Sequence, residues 1–232
     1  MEEHISKLRF DLTASNVEEL LNPNQGVTVI KPQGDIAKLL EELRKQAPTF
    51  NFVNSLAVTT TNVKQNFKAF GDFQDGDIWT QLGKVVSGTL RDGFEKLGYA
   101  DVFQQPLALD DLTLQYYPQS KPEDLFALSP HRDQSGFINL VVVFLVYGPS
   151  AFFICKDREG TTPIEPQEIQ SNPGDIVVMR AGGFNKDTSL RPCHFVGRVE
   201  NSEGRLTLAL RQITDDKTKL QKLECFFDQK FA

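Results

Sequence analysis

The sequence predicts a mixed, mainly β domain, with a helical N-terminal layer over 1–102, a β core over 103–213 and a packing helix at 214–232. Three observations carry this reading. Helical periodicity dominates the first hundred residues, after which, up to residue 213, short apolar runs alternate with turn residues. Short strands at near-regular spacing build a sandwich or a barrel. The aromatic residues are 18 Phe against 1 Trp and 4 Tyr, a choice that suits a β-rich core. No repeat, low-complexity tract or Pro/Gly linker divides the 232 residues, so they read as one domain.

Taken in order, Ser15-Asn16-Val17-Glu18 has the S-x-x-E spacing of a capping box and opens a short helix over Val17–Leu21. Residues 26–30 read as a strand. Ile36, Leu39, Leu40 and Leu43 recur at i, i+3, i+4 and i+7 and predict a helix over 35–46. Residues 49–76 show no clean period and read as loop or short strands; within them 51–70, with Asn51, Asn54, Asn62 and Phe70, form a candidate lid. A longer helix runs from Ile78 to Leu97, with Gly98 as its cap. Strands follow at 111–117, 137–147, 151–156, 163–169, 175–180, 194–200 and 205–213. Asn172-Pro173-Gly174-Asp175 is a turn, and Asn201-Ser202-Glu203-Gly204 reads as a hairpin loop.

Composition narrows the function. The balance of 25 basic and 31 acidic residues leaves a net charge of −6 without basic blocks, which argues against nucleic acid or an anionic membrane as partner. No apolar run reaches the roughly 18–20 residues of a bilayer span. The acidic start at Met1 lacks the apolar stretch of a secretory signal, so a cytoplasmic location is the expectation. Cys155, Cys193 and Cys225 are odd in number and include no C-x-x-C, so a disulfide framework is not expected.

Of the three histidines His4 lies at the terminus, which leaves two internal ones, His131 and His194. His131-Arg132-Asp133 is an H-x-D at the mouth of the apolar strand 137–147, and positions i and i+2 of an extended segment face one side. His194 follows 61 residues after Asp133, at the start of another strand. Two imidazoles and a carboxylate on one face of an octahedral ion form the triad of non-haem Fe(II) oxygenases. Beyond it lies R-x-T at Arg205 and Thr207, on one face of the following strand and beside the strand of His194, across a tight hairpin. An inward Arg205 needs a carboxylate, because an unpaired buried charge is costly. A dicarboxylate chelating the metal at one end would supply one.

At this point the chain resembles the Fe(II)/2-oxoglutarate-dependent dioxygenases, in the branch of isopenicillin N synthase and the plant dioxygenases. Gln115-Tyr116-Tyr117-Pro118 is similar to its N-Y-Y-P, with Gln for Asn. Ser129-Pro130 leads into H-x-D, Asn172-Pro173-Gly174-Asp175 is similar to its N-x-G-D turn, and His194 to Thr207 is similar to its H…N-S-E…R-x-S, with Thr for Ser. The resemblance spans 111–213 and implies a double-stranded β-helix, or jelly roll, with helix 78–97 against the major sheet. It implies Fe(II) on His131, Asp133 and His194, and 2-oxoglutarate on Arg205 and Thr207. Tyr117 would bond the co-substrate, strand parity deciding between it and Tyr116.

The activity implied is hydroxylation, desaturation or cyclisation of a small molecule, such as an amino acid or natural-product intermediate, using O₂ and releasing succinate and CO₂. Retention of Asp133 disfavours halogenation. For the substrate, Arg211 shares parity with Arg205, and Phe184 and Asn185 lie on a loop that could reach over the metal. Cys193 faces away from His194's side and reads as core. The alternatives are an iron oxidase of this fold that does not use 2-oxoglutarate and a catalytically silent binding module.

Overall fold

The computed structural model describes residues 5, 8–34, 36–54, 65–187 and 189–216. Most of the expected C-terminal helix and the middle of the candidate lid, including Asn62, lie outside the described residues. Three helices precede the core: α1 (Ala14–Leu21), α2 (Ala37–Gln46) and α3 (Ile78–Lys96). The strands that position the site are β1 (Val27–Ile30), β2 (Lys68–Phe70), β3 (Asp111–Tyr117), β4 (Leu128–His131), β5 (Phe137–Tyr147), β6 (Phe152–Cys155), β7 (Gln167–Glu168), β8 (Ile176–Arg180), β9 (Cys193–Val196) and β10 (Arg205–Ile213). Among the described residues, no helix is long and apolar enough to cross a membrane.

The eight strands from β3 onward form two facing sheets, with order β1-β8-β5-β10-β3-β2 and an edge pair at Val53–Asn54 in the major sheet. The minor sheet has order β7-β6-β9-β4. The chain passes from one sheet to the other at nearly every connection, which makes this a jelly roll. On the major sheet, odd and even positions divide two cores. Leu140, Val142, Phe144, Leu206, Leu208 and Leu210 face the helices. Val141, Val143, Val177 and Met179 face the lumen and meet Phe152 and Val196 from the minor sheet.

The helices follow from their spacing. On α3, Trp79, Leu82, Val86, Leu90 and Phe94 recur every three or four residues and are fully buried against the major sheet. Gly98, at φ +78, ends the helix in the left-handed conformation. The α1 cap differs from the sequence expectation. Thr13 is the N-cap, its hydroxyl accepting from Asn16 N at 3.3 Å while Asn16 Oδ1 accepts from Thr13 N at 3.0 Å. The box starts two residues before Ser15 because Asn16 is also tied to Thr28 Oγ1 on β1, at 2.8 Å.

Four further expectations need correction. The N-terminal layer is not purely helical, since β1, β2 and Val53–Asn54 extend the major sheet. Residues 163–169 are not one strand: Thr162–Ile164 folds back on Asp157–Glu159, and only β7 joins the minor sheet. His131 ends its own strand β4 rather than opening β5. Strand β9 ends at Val196, and residues 201–204 do not close a hairpin, because β9 lies in the minor sheet and β10 in the major one. Arg205 is therefore beside Tyr117 on β3, not beside the strand of His194.

The turn after β5 brings Gly148 against the start of β10. At Gly148 (φ +99) a Cβ would lie 2.6 Å from Gly204 O and 2.7 Å from Arg205 Cα. Gly148→Ala is expected to cost about 2–3 kcal/mol, from a left-handed backbone plus a clash with main chain. Gly160→Ala, at φ +61 with nothing within 4 Å, should cost only about 1 kcal/mol. Urea unfolding of the two variants checks the difference, and equal losses would contradict it.

Candidate metal centre and co-substrate lumen

The antiparallel pairing of β4 with β9 sets His194 directly opposite His131. Asp133, two residues beyond β4, turns back toward both rings. Its Oδ1 is 3.8 Å from Nε2 of His131 and 3.8 Å from Nε2 of His194. One ligand atom from each of the three residues lies within 4.8 Å of the others.

The rings are aimed by backbone carbonyls. His131 Nδ1 meets Ser129 O at 2.8 Å, and His194 Nδ1 meets Pro192 O at 3.2 Å. A carbonyl only accepts, so Nδ1 carries the proton and Nε2 keeps its lone pair for an ion. Burial, with His194 close by, pushes the His131 pKa down to about 4, against the pull of Asp133, so the ring stays neutral. The ring centroids are 4.3 Å apart, and Phe152 stacks on His194 at 5.7 Å. Arg191, which the sequence reading did not single out, donates to the backbone carbonyl of Asp133.

On the opposing major sheet, β10 pairs with β3 so that Arg205 faces Tyr117, Thr207 faces Gln115, Ala209 faces Thr113 and Arg211 faces Asp111. All project into the lumen, on the side away from Leu206, Leu208 and Leu210. Tyr117 is therefore the lumen tyrosine, while Tyr116 packs outward against Phe52. Arg205 is 1% exposed. Its Nε donates to Pro149 O at 3.2 Å and Ser150 O at 3.1 Å, and its guanidinium lies 5.3 Å from the Tyr117 ring. Among the described residues no carboxylate pairs with it, and burial pulls its pKa down. Arg205 Nη2 and Thr207 Oγ1 are both buried without a hydrogen-bond partner. The Tyr117 hydroxyl donates to Gln115 Oε1 at 3.0 Å, and burial raises its pKa to about 12.

The remaining sequence-predicted residues divide. Arg211 is buried: its Nε is 2.7 Å from Asp111 Oδ2, it donates to Thr113 Oγ1, and it lies 4.7 Å over the Phe137 ring. Phe184 does not reach the triad; it packs against Phe94 and Phe103 in the outer core at 6.2 and 6.0 Å. Asn185 is exposed, at φ +51. Arg132 points outward, to Asp157 at 3.0 Å. Asp111, Thr113 and Gln115 were missed, although they share the every-second-residue spacing of Tyr117.

The sequence matches no known protein family and no curated protein. The fold is shared with solved structures. A prolyl hydroxylase from Trichoplax adhaerens, solved with a peptide fragment of the hypoxia-inducible factor oxygen degradation domain, superposes with a TM-score of 0.57 at 12% identity, covering 88% of this chain and 89% of its own. SnoN, a non-haem α-ketoglutarate-dependent epimerase from nogalamycin biosynthesis, gives 0.54 at 16% identity, covering 86% and 83%. HygX from Streptomyces hygroscopicus, solved with nickel and 2-oxoglutarate, gives 0.53 at 12% identity, covering 88% of each chain.

A metal titration checks the triad. Replacing His131 or His194 by Ala is expected to weaken Ni(II) binding by more than about 100-fold, beyond what loss of a residue that only orients a ligand produces. Arg132→Ala should leave affinity within about 3-fold, since exposed ion pairs contribute little. Calorimetry that finds unchanged affinity in the histidine variants would remove the metal site.

Proposed function

We propose that this chain is a non-haem Fe(II)- and 2-oxoglutarate-dependent oxygenase, a dioxygenase that hydroxylates, desaturates or cyclises a small molecule and releases succinate and CO₂. The observation that carries the reading is Arg205: a guanidinium 1% exposed, with Nη2 unsatisfied, without a carboxylate partner among the described residues and in the same lumen as two histidines and an aspartate. An unpaired buried cation is costly, and a bound carboxylate compensates it. HygX, of the same fold, binds 2-oxoglutarate and nickel.

In this reading His131, Asp133 and His194 would hold the iron. Arg205 and Thr207 grip the distal carboxylate of the co-substrate, with the Tyr117 hydroxyl turning from Gln115 to join them. The iron and keto acid, when bound, supply the activation of O₂. The chain itself orients the co-substrate, excludes water behind it with Val141, Val143 and Met179, and keeps the His131 imidazole neutral.

The substrate we assign is an α-amino acid or a natural-product intermediate carrying the same group. Arg211 lies six residues past Arg205, roughly 20 Å along the strand at about 3.4 Å per residue, so a five-carbon acid held at Arg205 ends short of it. Arg211 and Asp111 form an ion pair in the lumen, Nε to Oδ2 at 2.7 Å, and present one charge of each sign. An adjacent carboxylate and ammonium complement the two charges.

Succinate release with Fe(II), 2-oxoglutarate and a panel of L-amino acids tests both levels, each amino acid being compared with its analogues lacking the amine or the carboxylate. At least one amino acid should raise the rate above the substrate-free background, and neither analogue should. Arg205→Ala is expected to raise the 2-oxoglutarate KM by about 100-fold, the loss of a charged hydrogen-bonding partner. Arg211→Gln and Asp111→Asn should abolish the stimulation but keep the background. Stimulation only by neutral molecules would contradict the substrate class; the absence of any 2-oxoglutarate turnover would contradict the oxygenase.

A further inference from the structure

The register that places His194 in the lumen turns its neighbour to the other face of the minor sheet. There Cys193 lies directly opposite Cys155 on β6, and the two sulfurs are 2.9 Å apart. They are 38 residues apart without a C-x-x-C, so local spacing does not join them. Directly opposed residues of an antiparallel pair have Cα atoms about 4.5–5.5 Å apart, within the range of about 4.4–6.8 Å that a disulfide spans without backbone movement. Phe126, Phe153 and Phe195 pack around the pair. Both cysteines are buried, at 6% and 2% exposure. Both also line a cavity of about 510 Å³ together with Arg132, Lys156, Arg191 and Pro192, so a small oxidant has a route to them.

We propose that Cys155 and Cys193 form a reversible disulfide, an oxidation site that clamps β6 to β9 beside the metal-facing His194. With hydrogen peroxide as oxidant, one thiolate attacks a peroxide oxygen, the O–O bond breaks, and a sulfenic acid and water result. The second thiol then attacks that sulfur, forming the S–S bond and releasing a second water. Two thiols lose two electrons and two protons, and one peroxide becomes two waters. A dithiol reductant reverses the change by exchange. The clamp closes a chain segment of 39 residues, counting both ends, across the minor sheet, and so narrows the unfolded ensemble.

The full-length protein is treated with hydrogen peroxide, denatured, and its thiols counted and mapped by mass spectrometry. The count should fall from three to one, with a mass loss of about 2 Da in a cross-linked peptide pair holding Cys155 and Cys193, and return to three after dithiothreitol. The oxidised protein should melt about 5–10 °C higher than the reduced one. Cys225→Ser should fall from two thiols to none. Cys155→Ser and Cys193→Ser should lose both the link and the rise in Tm. Should either serine variant fail to fold, the Cys225→Ser count still decides. Three thiols surviving peroxide, or a link that uses Cys225, overturns the proposal.

Discussion

The site depends on the pairing of two short strands. Strand β4 meets β9 so that His131 and His194 oppose each other, and both point into the lumen. Side chains alternate along a strand, so a slip of one residue exchanges faces. It would turn His194 outward and bring Cys193 in, leaving Asp133 with a single imidazole. The register is held on the other flank by β6, which aligns Phe152 and Ile154 with the lumen and Cys155 with Cys193. The aromatic stack of Phe153 on Phe195 on the outer face resists the same slip. Ligand geometry, lumen packing and the cysteine pair are thus consequences of one alignment.

The second constraint is electrostatic. The major sheet carries two arginines into the lumen, and they are treated differently. Arg211 has Asp111 across the strand pair, whereas Arg205 has two carbonyls and an aromatic face. A folded chain bears that imbalance when a ligand shares the cost. Ala209, between the two arginines, is the smallest side chain on that face of β10. The jelly roll supplies the scaffold; the proposed activity resides in this grafted polarity, since fold alone does not fix function.

Much of this was legible from local pattern. Strands 111–117, 137–147 and 205–213 carry long apolar or alternating runs and occur with the boundaries expected. The parity that placed Arg205 and Thr207 on one face holds through the strand. Pairings between distant segments were less legible. Leu128–His131 contains Ser129 and Pro130 and shows no alternation, so His131 was credited to the next strand. Asn201-Ser202-Glu203-Gly204 has hairpin chemistry, yet the chain there crosses between sheets, a choice made by the packing of both sheets and not by the turn. Asp111 and Cys155 could not be matched to Arg211 and Cys193, because register between strands is a tertiary property. Phe184 was misplaced because a loop's length does not reveal that its aromatic anchors it beneath α3.

The central claim is that one lumen holds both a three-ligand ion and a keto acid anchored at Arg205. The direct measurement is the visible spectrum of oxygen-free protein on adding Fe(II) and then 2-oxoglutarate. The account predicts a weak, broad charge-transfer band that requires both additions, disappears in His194→Ala and weakens in Arg205→Ala. Iron binding without a band would contradict the keto-acid site, and no iron binding would contradict the metal centre itself.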